Sequence, residues 1–202
     1  KVDPELLPEP EEDVQETPST AAPDSEEDET PYIPPEEQDL DSVTVPEDLP
    51  VAEEMELFLH LAKTYPDEVY LTLYKPASAS RIAEFESRNN IKLTDELKRL
   101  FLFTDGFEVS AGHITINSLD LIERDLAEEW EWGDTKNYVC IGDMIGDGEL
   151  ILLDSDSGNI ITNDHGEETD YGDLITLLSD AVSLFLDGEF DDEVLDDYIN
   201  AD

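Results

Sequence analysis

Apolar residues recur at helical spacing from Val51 onward. Val51, Met55, Phe58, Leu59 and Ala62 fall on one face, and Pro66 stops the run. The stretch VYLTLY at 69–74 alternates, which fits a short strand or an extended linker running into Pro76. A second helix begins near Ser78 or Ser80, either of which can cap it. Ile82 and Phe85 supply its apolar face, and Asn89 and Asn90 end it. Thr94 caps a third helix carrying Leu97, Leu100 and Phe101, and Asp105-Gly106 turns the chain.

The middle of the chain reads as sheet. GHITI at 112–116 alternates, Ser118 caps a short helix with Leu119, Ile122 and Leu126, and YVCI at 138–141 is a further strand. ELILL at 149–153 and NIIT at 159–162 flank the polar, Gly-containing loop DSDSG, a hairpin signal. A terminal helix follows, with Leu174, Leu177, Leu178, Ala181 and Phe185 on its buried side. Phe190, Val194, Leu195, Tyr198 and Ile199 add an amphipathic turn or two. Helices, then strands, then helices predict an α+β fold: a mainly antiparallel sheet with helices packed on one face. Residues 51–202 hold enough Leu, Ile, Val and Phe for one core without metals or disulfides.

Residues 1–50 differ. They hold ten of the twelve prolines, are crowded with Asp and Glu, and contain Lys1 as their only base. Such a composition buries too little apolar surface to offset chain entropy, so a disordered acidic tail is expected over 1–50, with a short anchoring contact open to Tyr32 and Ile33. Over the 202 residues, Lys and Arg total 10 against 55 Asp and Glu, a formal net charge of −45. That argues against binding nucleic-acid phosphates or an anionic membrane, and favours a cationic partner steered in by the field. The plainer explanation is solubility or a salty habitat. The single Cys140 excludes an intramolecular disulfide and fits an inert thiol in a reducing compartment such as the cytoplasm. No apolar run approaches the roughly 20 residues that span a bilayer. Lys1 is not a start methionine, which leaves a fragment or processed product open.

Chemistry-bearing patterns are few. His60, His113 and His165 make no metal-type spacing with one another or with Cys140, and His165 reads as a residue of a strand-end turn. DSDSGN at 154–159 fails the calcium-loop template, because Gly158 and Asn159 stand at its fifth and sixth positions. Nucleophile-elbow, phosphate-loop and dinucleotide motifs are absent, so no catalytic residue, cofactor or metal is expected. EEWEWGD at 128–134 is more suggestive. Trp130 and Trp132 stand two apart among acids, a composition suited to a binding hot spot or equally to a core plug and an edge cover. Phe107, after the turn, is a weaker candidate of the same kind.

Two segments carry a family resemblance. SRIAEFESRNNIKLTDELKRLFLFTDG, residues 80–106, resembles the opening motif of SUKH domains through Ile82, Phe85, Glu86, Ile91, Leu93, Leu97, Phe101, Asp105 and Gly106. YVCIGDMIGDGELILLDSDSGNIITNDHGE, residues 138–167, is similar to the later motif through Ile141, Gly142, Gly146, Asp147, Leu150, Leu153, Asp154, Gly158, Ile160 and His165. The resemblance covers about residues 55–187. Many family members have Pro where Thr94 stands, and Thr remains a good cap. The resemblance implies protein binding rather than catalysis: bacterial members neutralise toxins, often nucleases, and fungal relatives regulate cell-wall synthesis through protein contacts.

The expectation is therefore a protein-binding module for a basic partner, with a nuclease toxin as the leading case. It binds no nucleic acid directly, and Phe107, Trp130, Glu131, Trp132, Asp134, Asp143, Asp147 and Glu149 are the candidate contacts. The alternative is a regulatory hub or nucleic-acid mimic that engages a basic partner through its tail and acidic surface.

Overall fold

The computed structural model describes residues 32–109, 113–126, 138–144 and 148–189, with side chains as far as Leu184. Among the described residues seven antiparallel strands form one sheet in sequence order: β1 (Leu71–Leu73), β2 (Phe107–Val109), β3 (Ile114–Ile116), β4 (Tyr138–Met144), β5 (Glu149–Asp154), β6 (Ile160–Asp164) and β7 (Glu167–Asp170). Five described α-helices accompany them: α1 (Ala52–Thr64), α2 (Ala79–Asn89), α3 (Asp95–Phe103), α4 (Leu119–Asp125) and α5 (Leu174–Glu189). The fold is α+β, as the element order implies.

The strand register separates two faces, because side chains alternate along each strand. Leu71, Leu73, Phe107, Val109, Ile114, Ile116, Val139, Met144, Ile151, Leu153 and Ile160 line the inner face. Onto it pack Met55 and Phe58 of α1, Ile82 and Phe85 of α2, Leu97, Leu100 and Phe101 of α3, Leu119 and Ile122 of α4, and Leu174, Leu177, Leu178 and Ala181 of α5. Each fully buried Phe contributes about 2–3 kcal/mol relative to exposure.

Local chemistry sets the helix ends. Ser78, Thr94 and Ser118 accept hydrogen bonds from the amides of Arg81, Leu97 and Leu121, capping α2, α3 and α4. Asn90 ends α2 in the left-handed conformation, at φ 53°. Gly106 adopts φ +90°, and a Cβ there would lie 2.5 Å from the carbonyl oxygen of Ile116. Beside it, buried Asp105 accepts the Leu119 amide at 3.0 Å and so holds the start of α4 against the α3–β2 turn.

Residues 32–50, expected to belong to the tail, lie on the body. The Gln38 amide donates to Leu73 O at 2.6 Å and the Lys75 amide to Glu36 O at 2.7 Å, so Glu36–Gln38 lines the outer edge of β1. The Gln38 side-chain amide reaches Tyr74 O and Phe103 O at 2.8 and 3.1 Å. A 3-10 turn at Leu40–Ser42 follows, and Val45 and Leu49 join the core. The anchoring contact of Tyr32 is present: its hydroxyl lies 2.6 Å from Ser118 Oγ. Averaged composition hid this segment, because a few apolar side chains and main-chain bonds hold it despite the prolines. No described helix is long and apolar enough to cross a membrane.

Candidate functional site

The outer face of the sheet carries the candidate site. Register places Thr72, Glu108, Thr115, Asp143, Leu150, Asn163 and Glu168 in one row across the strands. The neighbouring positions of this face are Tyr138, Cys140, Leu152, Asp154, Ile161 and Asp170. Cys140, Leu152 and Ile161 form a small second apolar cluster, with Tyr138 and Leu150 packed against it. Glu108, Asp143, Asp154, Glu168 and Asp170 surround that cluster with carboxylates.

Three of these acids are held by neutral donors. Asp170 accepts both contacts of the Asn159 amide, at 3.2 and 3.0 Å, and the Gly172 N–H at 2.8 Å. Glu168 accepts from the Tyr138 hydroxyl at 3.3 Å and from Asn163 at 3.5 Å. Asp154 accepts from Ser157 Oγ at 2.6 Å and the Asp156 amide at 2.9 Å, which hold its carboxyl below the usual range. Asp143 is shifted the other way. Burial comes first and the nearby Glu108 carboxylate second, and both push its carboxyl up. Among the described residues no Lys or Arg pairs with any of these five acids.

The helical side is different. Arg81 Nη2 pairs with Asp120 at 2.6 Å and Glu123 at 2.9 Å, and Arg88 pairs with Glu123 at 2.8 Å and with Glu84. Lys98 pairs with Glu86 at 2.8 Å, and at the β1 edge Lys75 pairs with Glu36. The uneven distribution is written in the chain: from Asn137 to Asp202 there are nineteen Asp and Glu and not one Lys or Arg. That run supplies β4 to β7 and α5. The signal was open to sequence reading, but a net charge summed over the chain conceals it.

The candidate contacts fare unequally. Phe107 is fully buried in the inner row of β2 and has no surface to offer a partner. Strand alternation turns its neighbour Glu108 outward instead. Asp143 lies on the outer face, half-buried. Glu149 pairs with Met144, whose side chain is in the core, so it sits in the inner row at the sheet end, away from Asp143. Trp130, Glu131, Trp132, Asp134 and Asp147 lie outside the described residues.

Other chemistry is sparse among the described residues. Cys140 is buried, its thiol donates to Gly142 O at 3.4 Å, and burial pushes it up to about 12, which leaves it unreactive. His165 has φ 50° and with Gly166 forms the two-residue turn of the β6–β7 hairpin, its ring 2.6 Å from Asp164. Among the described residues no group of three His, Cys, Asp or Glu is arranged to hold a metal ion.

The resemblance motifs now have physical roles. Asp105 and Gly106 join α3, β2 and α4. At Gly142 a Cβ would lie 2.0 Å from Thr115 O, so only glycine fits beside the bulge at Cys140–Gly142. The family model for the SMI1 / KNR4 family (SUKH-1) matches residues 76–188, more than half of the chain. The chain belongs to the SMI1/KNR4 (SUKH-1) family. No curated protein matches it. The SUKH-1 match runs from the residue before Ala77 through nearly all of α5, and so includes every strand of the outer face except β1. Membership suggests an immunity-like or regulatory protein-binding module.

Proposed function

We propose that this SUKH-1 chain is a non-enzymatic binding module of the cytoplasm that grips a basic protein and blocks it, in the manner of immunity proteins that neutralise nuclease toxins. The observation that carries this reading is the outer sheet face. Glu108, Asp143, Asp154, Glu168 and Asp170 ring an apolar patch, and no described base neutralises them. An interface of this kind joins apolar contact to a charged rim. Asp154, Glu168 and Asp170 are already oriented by neutral donors, so a cationic partner meets fixed carboxylates there. A nuclease presents a basic surface to its own phosphate substrate, and the same surface fits this face. The uneven charge distribution would also speed the encounter.

The test is inhibition of a basic nuclease domain encoded beside this chain's gene. One equivalent of the chain is expected to abolish cleavage at about 0.05 M salt, with strong relief at about 0.5 M. Unchanged cleavage, or inhibition indifferent to salt, contradicts the proposal. Inhibition that disappears when only residues 1–31 are removed points instead to the regulatory or mimicry reading through the tail.

A further inference from the structure

The two edges of the sheet are treated differently. At β1 the chain itself closes the edge with Glu36–Gln38. At β7 all four residues, Glu167–Asp170, are exposed, and no described strand pairs beyond them. The ladder fixes which main-chain groups point outward. The hairpin places Asp164 opposite Glu167 and Thr162 opposite Thr169, and the Tyr171 amide donates to Ile160 O at 2.9 Å. Antiparallel alternation then turns the N–H and C=O groups of Glu167 and Thr169 toward β6, and those of Glu168 and Asp170 away from the sheet.

Beside this edge runs an open groove of about 580 Å³ between β7 and α5, lined by Thr169, Tyr171, Ile175, Ser179, Asp180 and Ser183 among others. The Tyr171 hydroxyl donates to Asp180 at 3.0 Å and ties the end of the strand to the helix, so the groove has a fixed wall. On the other side of the edge stand the Glu168 and Asp170 carboxylates.

We propose that β7 takes an extended basic segment of a partner protein as an eighth strand. This rests on the reading of the acidic face above and specifies how one part of a partner would dock. Outward main-chain groups supply the pairing. The geometry also dictates a sequence pattern. Residues hydrogen-bonded opposite Glu168 and Asp170 point to the outer face and are Lys or Arg. The alternate residues point over α5 and are small or branched, meeting Ile175 and the hydroxyls. A second copy of this chain is the wrong occupant, because it would set EETD against EETD, like charges across a new ladder.

The probe is an acetylated, amidated seven-residue peptide alternating Lys and Val, added to the full chain. Binding is expected, with slowed amide hydrogen exchange at Glu168 and Asp170. N-methylation of the Lys amides, which face β7, is expected to weaken binding by about tenfold, the worth of one or two main-chain hydrogen bonds. N-methylation of the Val amides, which face away, is expected to leave it unchanged. Glu168→Pro removes an outward N–H that β6 does not use and is expected to weaken binding to the same degree, while Glu168→Gln, which keeps the N–H, weakens it less. If Glu168→Pro lowers the melting temperature, the two methylated peptides decide alone. Equal binding of both methylated peptides, with exchange at Glu168 and Asp170 unaltered, overturns strand addition and leaves the acidic-face reading standing. Absence of any binding also overturns it, and the nuclease assay decides the face separately.

Discussion

Asp143 is the residue at which stability and the proposed binding pull apart. Its carboxyl is pushed up by burial and by Glu108, so the native state holds its proton more tightly than the unfolded chain does. Stability from this group is present at low pH and falls as pH rises through the ordinary Asp value toward the raised one. Asp143→Asn is therefore expected to raise stability at pH 7 by up to about 1 kcal/mol and to change nothing at about pH 3, read by urea melts at both pH values. The same substitution is expected to weaken a cationic partner. Gly142 is the opposite case, a residue whose role is purely steric. Its missing side chain admits Thr115 O to a place where a Cβ would stand 2.0 Å away. Gly142→Ala is expected to cost about 3 kcal/mol or more in a denaturant melt, by forcing β3 from β4.

Among the elements, the strap at 32–50 carries the clearest expectation. A chain beginning at residue 32 keeps the pairing of Glu36–Gln38 with β1 and the burial of Val45 and Leu49, whereas one beginning at 51 loses both. The shorter chain is expected to be less stable by about 3 kcal/mol or more, the worth of two buried aliphatic side chains together with the edge bonds, and thermal melts of the two chains check this. Helices α1 to α5 were legible in the sequence because their apolar residues recur at helical spacing, and Ser78, Thr94 and Ser118 mark the starts of α2, α3 and α4. The β5–β6 hairpin was legible from two branched runs around DSDSG. Strands β2 and β7 were not. FEV is too short to show alternation, and EETD has no apolar residue at all. Its pairing is set by the His165-Gly166 turn rather than by its own side chains. The candidate site was half legible for the same reason. Charge pointed to a cationic partner and Asp143 was singled out. Yet Phe107 and Glu108 exchange roles once β2 is recognised as a strand, and Glu168 and Asp170 come into view only with β7.

At the scale of the whole molecule, ion pairs are unevenly placed among the described residues. Arg81, Arg88 and Lys98 pair with acids of α2 and α4, and the base-free run from Asn137 onward supplies β4 to β7 of the outer sheet face, as well as α5. Net charge alone would attract any cation to any part of the surface. Location is what separates a built site from a soluble coat. The most direct measurement compares two triple variants with the same loss of charge, titrated with the basic nuclease domain at about 0.05 and 0.5 M salt. One neutralises the face (Glu108→Gln, Asp143→Asn, Glu168→Gln). The other neutralises exposed acids on and just after α1 (Glu53→Gln, Glu56→Gln, Asp67→Asn). The face variant is expected to bind about tenfold or more weakly at low salt with a flatter salt dependence, and the helix variant to stay within about threefold of the parent. Equal losses in the two variants would contradict the account.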